Sequence, residues 1–108
     1  MLFYLTNFAQ KELAKIRRGD KKAGSRIDAF FQELAAIDDF RNLSNVKKLA
    51  GSKNEWRSRV GEHRLEFRVL KLESGFAVLE FLGFESAAES GEILEFHKIG
   101  PRQNAYKK

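Results

Sequence analysis

The chain has 108 residues, no cysteine, and 20 Lys plus Arg against 15 Asp plus Glu, a net charge of +5. One domain spanning 1–108 is expected, because a chain of this length buries roughly 65% of its unfolded surface without staples. The composition excludes disulfides, iron–sulfur clusters and thiol nucleophiles, and no apolar run approaches the ~20 residues of a membrane span. With no apolar signal segment after Met1, a cytoplasmic protein without a membrane partner is expected, and the excess of base points to a polyanion: nucleic acid, an acidic protein, or both.

"LFYL" (2–5) reads as a short strand, and Thr6 or Asn7 is placed to cap a helix after it. In "NFAQKELAKIRR" the apolar positions Ala9, Leu13 and Ile16 form one stripe of that first helix, which ends at Gly19. "SRIDAFFQELAAI" repeats the pattern with Ile27, Phe30, Phe31, Leu34 and Ile37, so a second helix is expected from a Ser25 cap, with "GDKKAG" (19–24) as the turn between them. The polar segment 42–54 reads as a loop with an apolar tuck at Val46 and Leu49. The period then drops to two, and strands are expected at 55–60, 64–72, 76–84 and 92–99, joined by short turns, with Pro101 ending the last. The order gives an α+β fold in which an N-terminal strand and a helical hairpin pack on one face of a twisted antiparallel β-sheet.

Alternation assigns the faces. Trp56, Ser58 and Val60 share one side of their strand and Arg57 and Arg59 the other; Leu65, Phe67 and Val69 oppose Arg64, Glu66 and Arg68. If the apolar sides meet the helices, four guanidinium groups crowd the open face. Like charges on neighbouring strands repel and add nothing to isolated stability. A solvated sheet decorated with bases is one explanation; a phosphate-binding surface is the other, favoured by arginine's two-pronged grip on phosphate oxygens. With Leu94 and Phe96 inward, His97 points to the same face, although Ile93 and Ile99 share its parity. The terminal Tyr106 suits either packing at a sheet edge or stacking on a base.

The segment "KKLAGSKNEWRSRVGEHRLEFRV" (47–69) resembles the central signature of the RelE/ParE toxin superfamily, a Leu-x-Gly-Ser loop leading into a basic strand and an "HRL" hairpin. "KIGPRQNAYK" (98–107) resembles that superfamily's C-terminal Ile-Gly-x-Arg…Tyr segment, and the N-terminal strand and helical hairpin stand in the matching order. The resemblance implies the toxin of a type II toxin–antitoxin pair. RelE-like members cut messenger RNA on the ribosome without a metal or small-molecule cofactor, driving the ribose 2′-hydroxyl onto the adjacent phosphate, and an acidic antitoxin protein neutralises them.

By position, Arg64 matches the hairpin arginine, Arg102 the C-terminal arginine and Tyr106 the terminal tyrosine, while Arg57 and Arg59 stand where relatives carry lysines. The resemblance therefore implies Arg64 and Arg102 against transition-state charge, with Tyr106 stacking or protonating the leaving oxygen. Arg57 and Arg59, with Lys47, Lys48 and Arg68, would hold RNA. Arginine does not give up its proton, so the general base is sought among Glu62, His63, His97 and Lys48, of which His97 joins the expected catalytic set. Two departures stand out: the segment between Arg64 and Arg102 is about one hairpin longer than in short relatives, and Arg102 and Tyr106 lie closer together in sequence. The superfamily also implies an alternative, a ParE-like toxin that blocks DNA gyrase without cutting RNA, and, further off, a catalytically inactive member.

Overall fold

A computed structural model describes residues 1–71 and 91–101. The strand expected at 76–84 and its flanking turns, together with Arg102, Tyr106, Lys107 and Lys108, lie outside the described residues. Within them the elements run β1 (Leu2–Leu5), α1 (Asn7–Gly19), α2 (Lys21–Ala36), a 3₁₀ turn (Phe40–Asn42), β2 (Val46–Lys48), β3 (Glu55–Val60), β4 (His63–Lys71) and β5 (Glu92–Pro101). The strands form one sheet ordered β1-β5-β4-β3-β2. From the far edge the chain walks back through antiparallel neighbours, and β5 closes against β1 in parallel register, Leu2 with Ile93 through Leu5 with Phe96. Among the described residues the N-terminal strand is thus an edge of the sheet.

Thr6 caps α1, its hydroxyl accepting from the Ala9 N–H at 3.2 Å. The turn expected over 19–24 shrinks to one residue. Asp20 donates its backbone N–H to the Ile16 carbonyl at 2.7 Å, ending α1, and its carboxylate accepts from the Ala23 N–H at 3.1 Å, starting α2 four residues before Ser25. Gly24, expected as the last residue of that turn, lies buried inside α2. A Cβ there would come within 3.1 Å of the Arg17 Cα and 3.0 Å of its Cγ, so the glycine is what lets the two helices approach. Arg17 then reaches Asp28 at 2.5 Å across the hairpin.

The helices cover one sheet face. Ala9, Leu13, Ile27 and Leu34 from the helices meet Leu65, Phe67, Val69, Leu94, Phe96 and Ile99 from β4 and β5 in one buried cluster. Phe96 sits among four rings, those of Phe3, Phe30, Phe31 and Phe67, with centroids 4.8 to 6.2 Å away. The segment 42–54, expected as a loop, contributes β2, whose three residues pair with Ser58, Arg57 and Trp56. Just before it, Arg41 lies over the Phe40 ring at 4.3 Å and grips Glu92 with both guanidinium nitrogens at 3.1 and 3.0 Å, pinning the connection to the start of β5.

Candidate nucleic-acid interface

The face turned away from the helices is ordered in cross-strand rows. The first is apolar: Leu2, Ile93 and Leu70 stand side by side. The second alternates in charge, Tyr4 beside Glu95, Arg68 and Glu55. Arg68 reaches Glu95 at 2.8 Å and Glu55 at 3.4 Å. Tyr4 donates its hydroxyl to Glu95, and its phenol titrates well above its ordinary range because burial and the adjacent carboxylate both oppose ionisation, so it stays a neutral donor. The third row sets Lys47, Arg57, Glu66 and Lys98 across four strands. The fourth is Arg59, Arg64 and Gly100, with no carboxylate in it.

Along this face of the sheet the rows therefore pass from apolar, where Ile93 is buried, through balanced charge, to cations. Arg57 is 9% exposed and donates to the Asn45 carbonyl at 3.0 Å. The Arg64 Nε lies 3.3 Å from Glu66, both side chains more than four-fifths buried. These arginines are packed on the sheet rather than spread into solvent. Beside Arg64 the Gly100 position is open among the described residues, none of which a Cβ there would meet within 4 Å. The fourth row thus offers guanidinium groups bordering an open position.

His97 owes its place to an irregularity. Glu66 pairs with Lys98 but Phe67 with Phe96, so His97 is an extra residue, a β-bulge. The bulge resets the alternation, letting Leu94, Phe96 and Ile99 all reach the core. That resolves the parity conflict in the sequence and leaves the imidazole on the arginine face, its Nε2 3.2 Å from Glu55 Oε1.

The other expected residues separate. Lys47 pairs with Arg57 and joins the basic face, whereas Lys48 pairs with Trp56 and takes that residue's side of the edge strand. Arg68, expected to contact RNA, is spanned by two carboxylates. His63 pairs with Val60 and, with Glu62, lines a small cavity of about 80 Å³ against Asp20, Ala23 and Arg26 at the tip of the helical hairpin. Glu55 and Tyr4 join the site without being expected from the sequence; the one sequence signal for Glu55 is its opposition to Arg68 in the hairpin register.

The fold is that of the RelE- and ParE-type toxins. The chain superposes on a YoeB/ParE toxin from Agrobacterium tumefaciens with a TM-score of 0.61 at 19% identity, over 94% of this chain and 98% of that one. It matches a chain of the RelB–RelE antitoxin–toxin complex from Methanococcus jannaschii with a TM-score of 0.61 at 20% identity, over 98% and 95% of the two chains. A chain of the archaeal RelE–RelB complex from Pyrococcus horikoshii gives 0.57 at 18% identity, over 94% and 93%. No protein-family model and no curated protein sequence matches the chain.

Proposed function

We propose that this protein is the toxin of a toxin–antitoxin pair, and that it arrests translation in the cytoplasm by cutting ribosome-bound messenger RNA. The observation that carries the reading is the row Arg59–Arg64–Gly100, cations beside an open position on a fold shared with YoeB/ParE and RelE toxins. Attack of a ribose 2′-oxygen on the neighbouring phosphate builds negative charge on the phosphoryl oxygens, and preorganised guanidinium groups lower that barrier. Arg64, with Arg102, takes the charge of the transition state. Arg57, Arg59 and Lys47 hold the strand, Tyr106 assists the leaving oxygen, Arg68 instead organises carboxylates, and Lys48 stands on the Trp56 side of the edge strand. The scheme uses side chains alone.

The partner in this reading is an acidic antitoxin. A groove of about 620 Å³ between α1 and the end of β5 has an apolar floor that includes Phe8, Ile16, Ile99 and Pro101, with Lys11 and Lys15 among its lining residues. That pairing of oil and base complements an acidic amphipathic segment. Brief induction without an antitoxin, followed by primer extension, tests the reading: mapped cuts in translated messages support it, and intact messages with stalled replication assign the protein to the gyrase-blocking kind.

A further inference from the structure

Of the four general-base candidates, Lys48, Glu62 and His63 are directed elsewhere by the sheet register and the hairpin tip, and His97 stands on the arginine face. We propose that His97 is the proton acceptor of the cut and that Glu55 is the positioning residue that sets it, an inference that rests on the nuclease reading. Glu55 Oε1 lies 3.2 Å from the His97 Nε2. Nε2 is buried and makes no hydrogen bond among the described residues, so Glu55 acts on it as a nearby charge; a carboxylate at that distance draws the ring proton to Nε2 and leaves Nδ1 as the nitrogen that accepts.

Glu55 is itself held in place. Its backbone N–H donates to Ser52 Oγ at 3.1 Å, and its carboxylate faces Arg68, which is anchored by Glu95, which accepts from Tyr4. A row across four strands thus fixes one oxygen beside the imidazole. Among the described residues, the charged and titratable groups that the register places near His97 on this face are Glu55 from β3, Arg68 and Glu66 from β4, Glu95 and Lys98 from β5, and Tyr4 from β1. On the same strand, the open Gly100 position flanks Arg64.

In the cleavage step, Nδ1 takes the proton of the 2′-hydroxyl while the 2′-oxygen bonds to phosphorus and the bond from phosphorus to the 5′-oxygen breaks. The 5′-oxygen takes a proton from water and leaves as a hydroxyl, the other fragment keeps a 2′,3′-cyclic phosphate, and the imidazolium returns its proton to the resulting hydroxide.

The test uses the purified full chain on ribosomes programmed with a short synthetic message. His97→Ala should lower the cleavage rate by about 10²-fold or more, and free imidazole should restore part of it. Glu55→Gln should lose about tenfold or more, scaled from the rate a positioned base supplies, and Glu55→Asp should regain most of the loss. The double variant His97→Ala/Glu55→Gln should be no slower than His97→Ala alone, and all four should melt as the wild type does. Wild-type cleavage by Glu55→Gln, or a loss that compounds in full on His97→Ala, overturns the proposal while leaving the nuclease reading intact. A wild-type protein that leaves the message uncut overturns both.

Discussion

Replacing Arg64 with alanine separates a catalytic cation from a structural one. A guanidinium about 4 Å from a developing phosphorane charge, at an effective dielectric of ~20, contributes about 4 kcal/mol. That corresponds to about a thousandfold in rate. The cost to folding is read separately, from the melting temperature. Arg64 pairs with Glu66 at 3.3 Å on the face turned away from the helices and stands opposite Arg59, so its removal breaks that ion pair and relieves that like-charge contact. Both side chains are more than four-fifths buried, so losing the pair costs more than the about 1 kcal/mol of an exposed one, and for a domain of this size the melting temperature should fall by about 4 °C or more. Arg64→Ala should therefore abolish growth arrest on induction and lower cleavage of programmed ribosomes by about 10²–10³-fold, with a native circular dichroism spectrum. Glu66→Gln removes the carboxylate that competes with phosphate for Arg64, and should hold or raise the rate. Cleavage at the wild-type rate by a folded Arg64→Ala protein refutes the assignment, and equal losses in both variants reduce the pair to a structural ion pair.

The fold makes three further outcomes measurable. Arg41, and behind it Lys71, lowers the titration of Glu92 below the usual carboxylate range, so the stabilisation is complete above that range and is lost as pH falls through the lowered value; thermal melts should drop on acidification below about pH 4, less steeply in Glu92→Gln. Gly24→Ala should lower the melting temperature, because overpacking against the Arg17 backbone costs about 1–3 kcal/mol and the helix propensity gained returns about 1 kcal/mol. Ser58 is 1% exposed and its hydroxyl has no hydrogen-bond partner among the described residues, so Ser58→Ala should leave the urea midpoint unchanged or raise it.

Local pattern controls the features that are legible in the sequence. Alternation places β3 at 55–60 and gives the hairpin its oily and basic sides, and the stripes of α1 and α2 name the residues that reach the core. The start of α2 is hidden because Gly24 looks like a breaker until a second helix is laid against it. β2 is hidden because Val46–Lys48 carries a single apolar residue and becomes a strand by pairing with β3. Arg57, Arg59 and Arg64 are legible as a face; that Arg68 belongs to carboxylates is not, since Glu55 and Glu95 come to it from strands on either side.

The bulge at His97 shows why the candidate base is the least legible part of the site. A strand with strict alternation could bury Leu94 and Phe96 or Ile93 and Ile99, and only an inserted residue buries Leu94, Phe96 and Ile99 against the helices together. Core packing therefore demands an irregularity in the final stretch of alternation before Gly100, and the bulge places a histidine, one residue out of ladder, over a row whose carboxylates are already paired. The same irregularity keeps Gly100 in register with Arg64. Deleting His97 alone would join Phe96 to Lys98 in regular alternation, leaving Leu94, Phe96 and Ile99 inward and Gly100 opposite Arg64, so what the extra residue adds to this face is the imidazole itself.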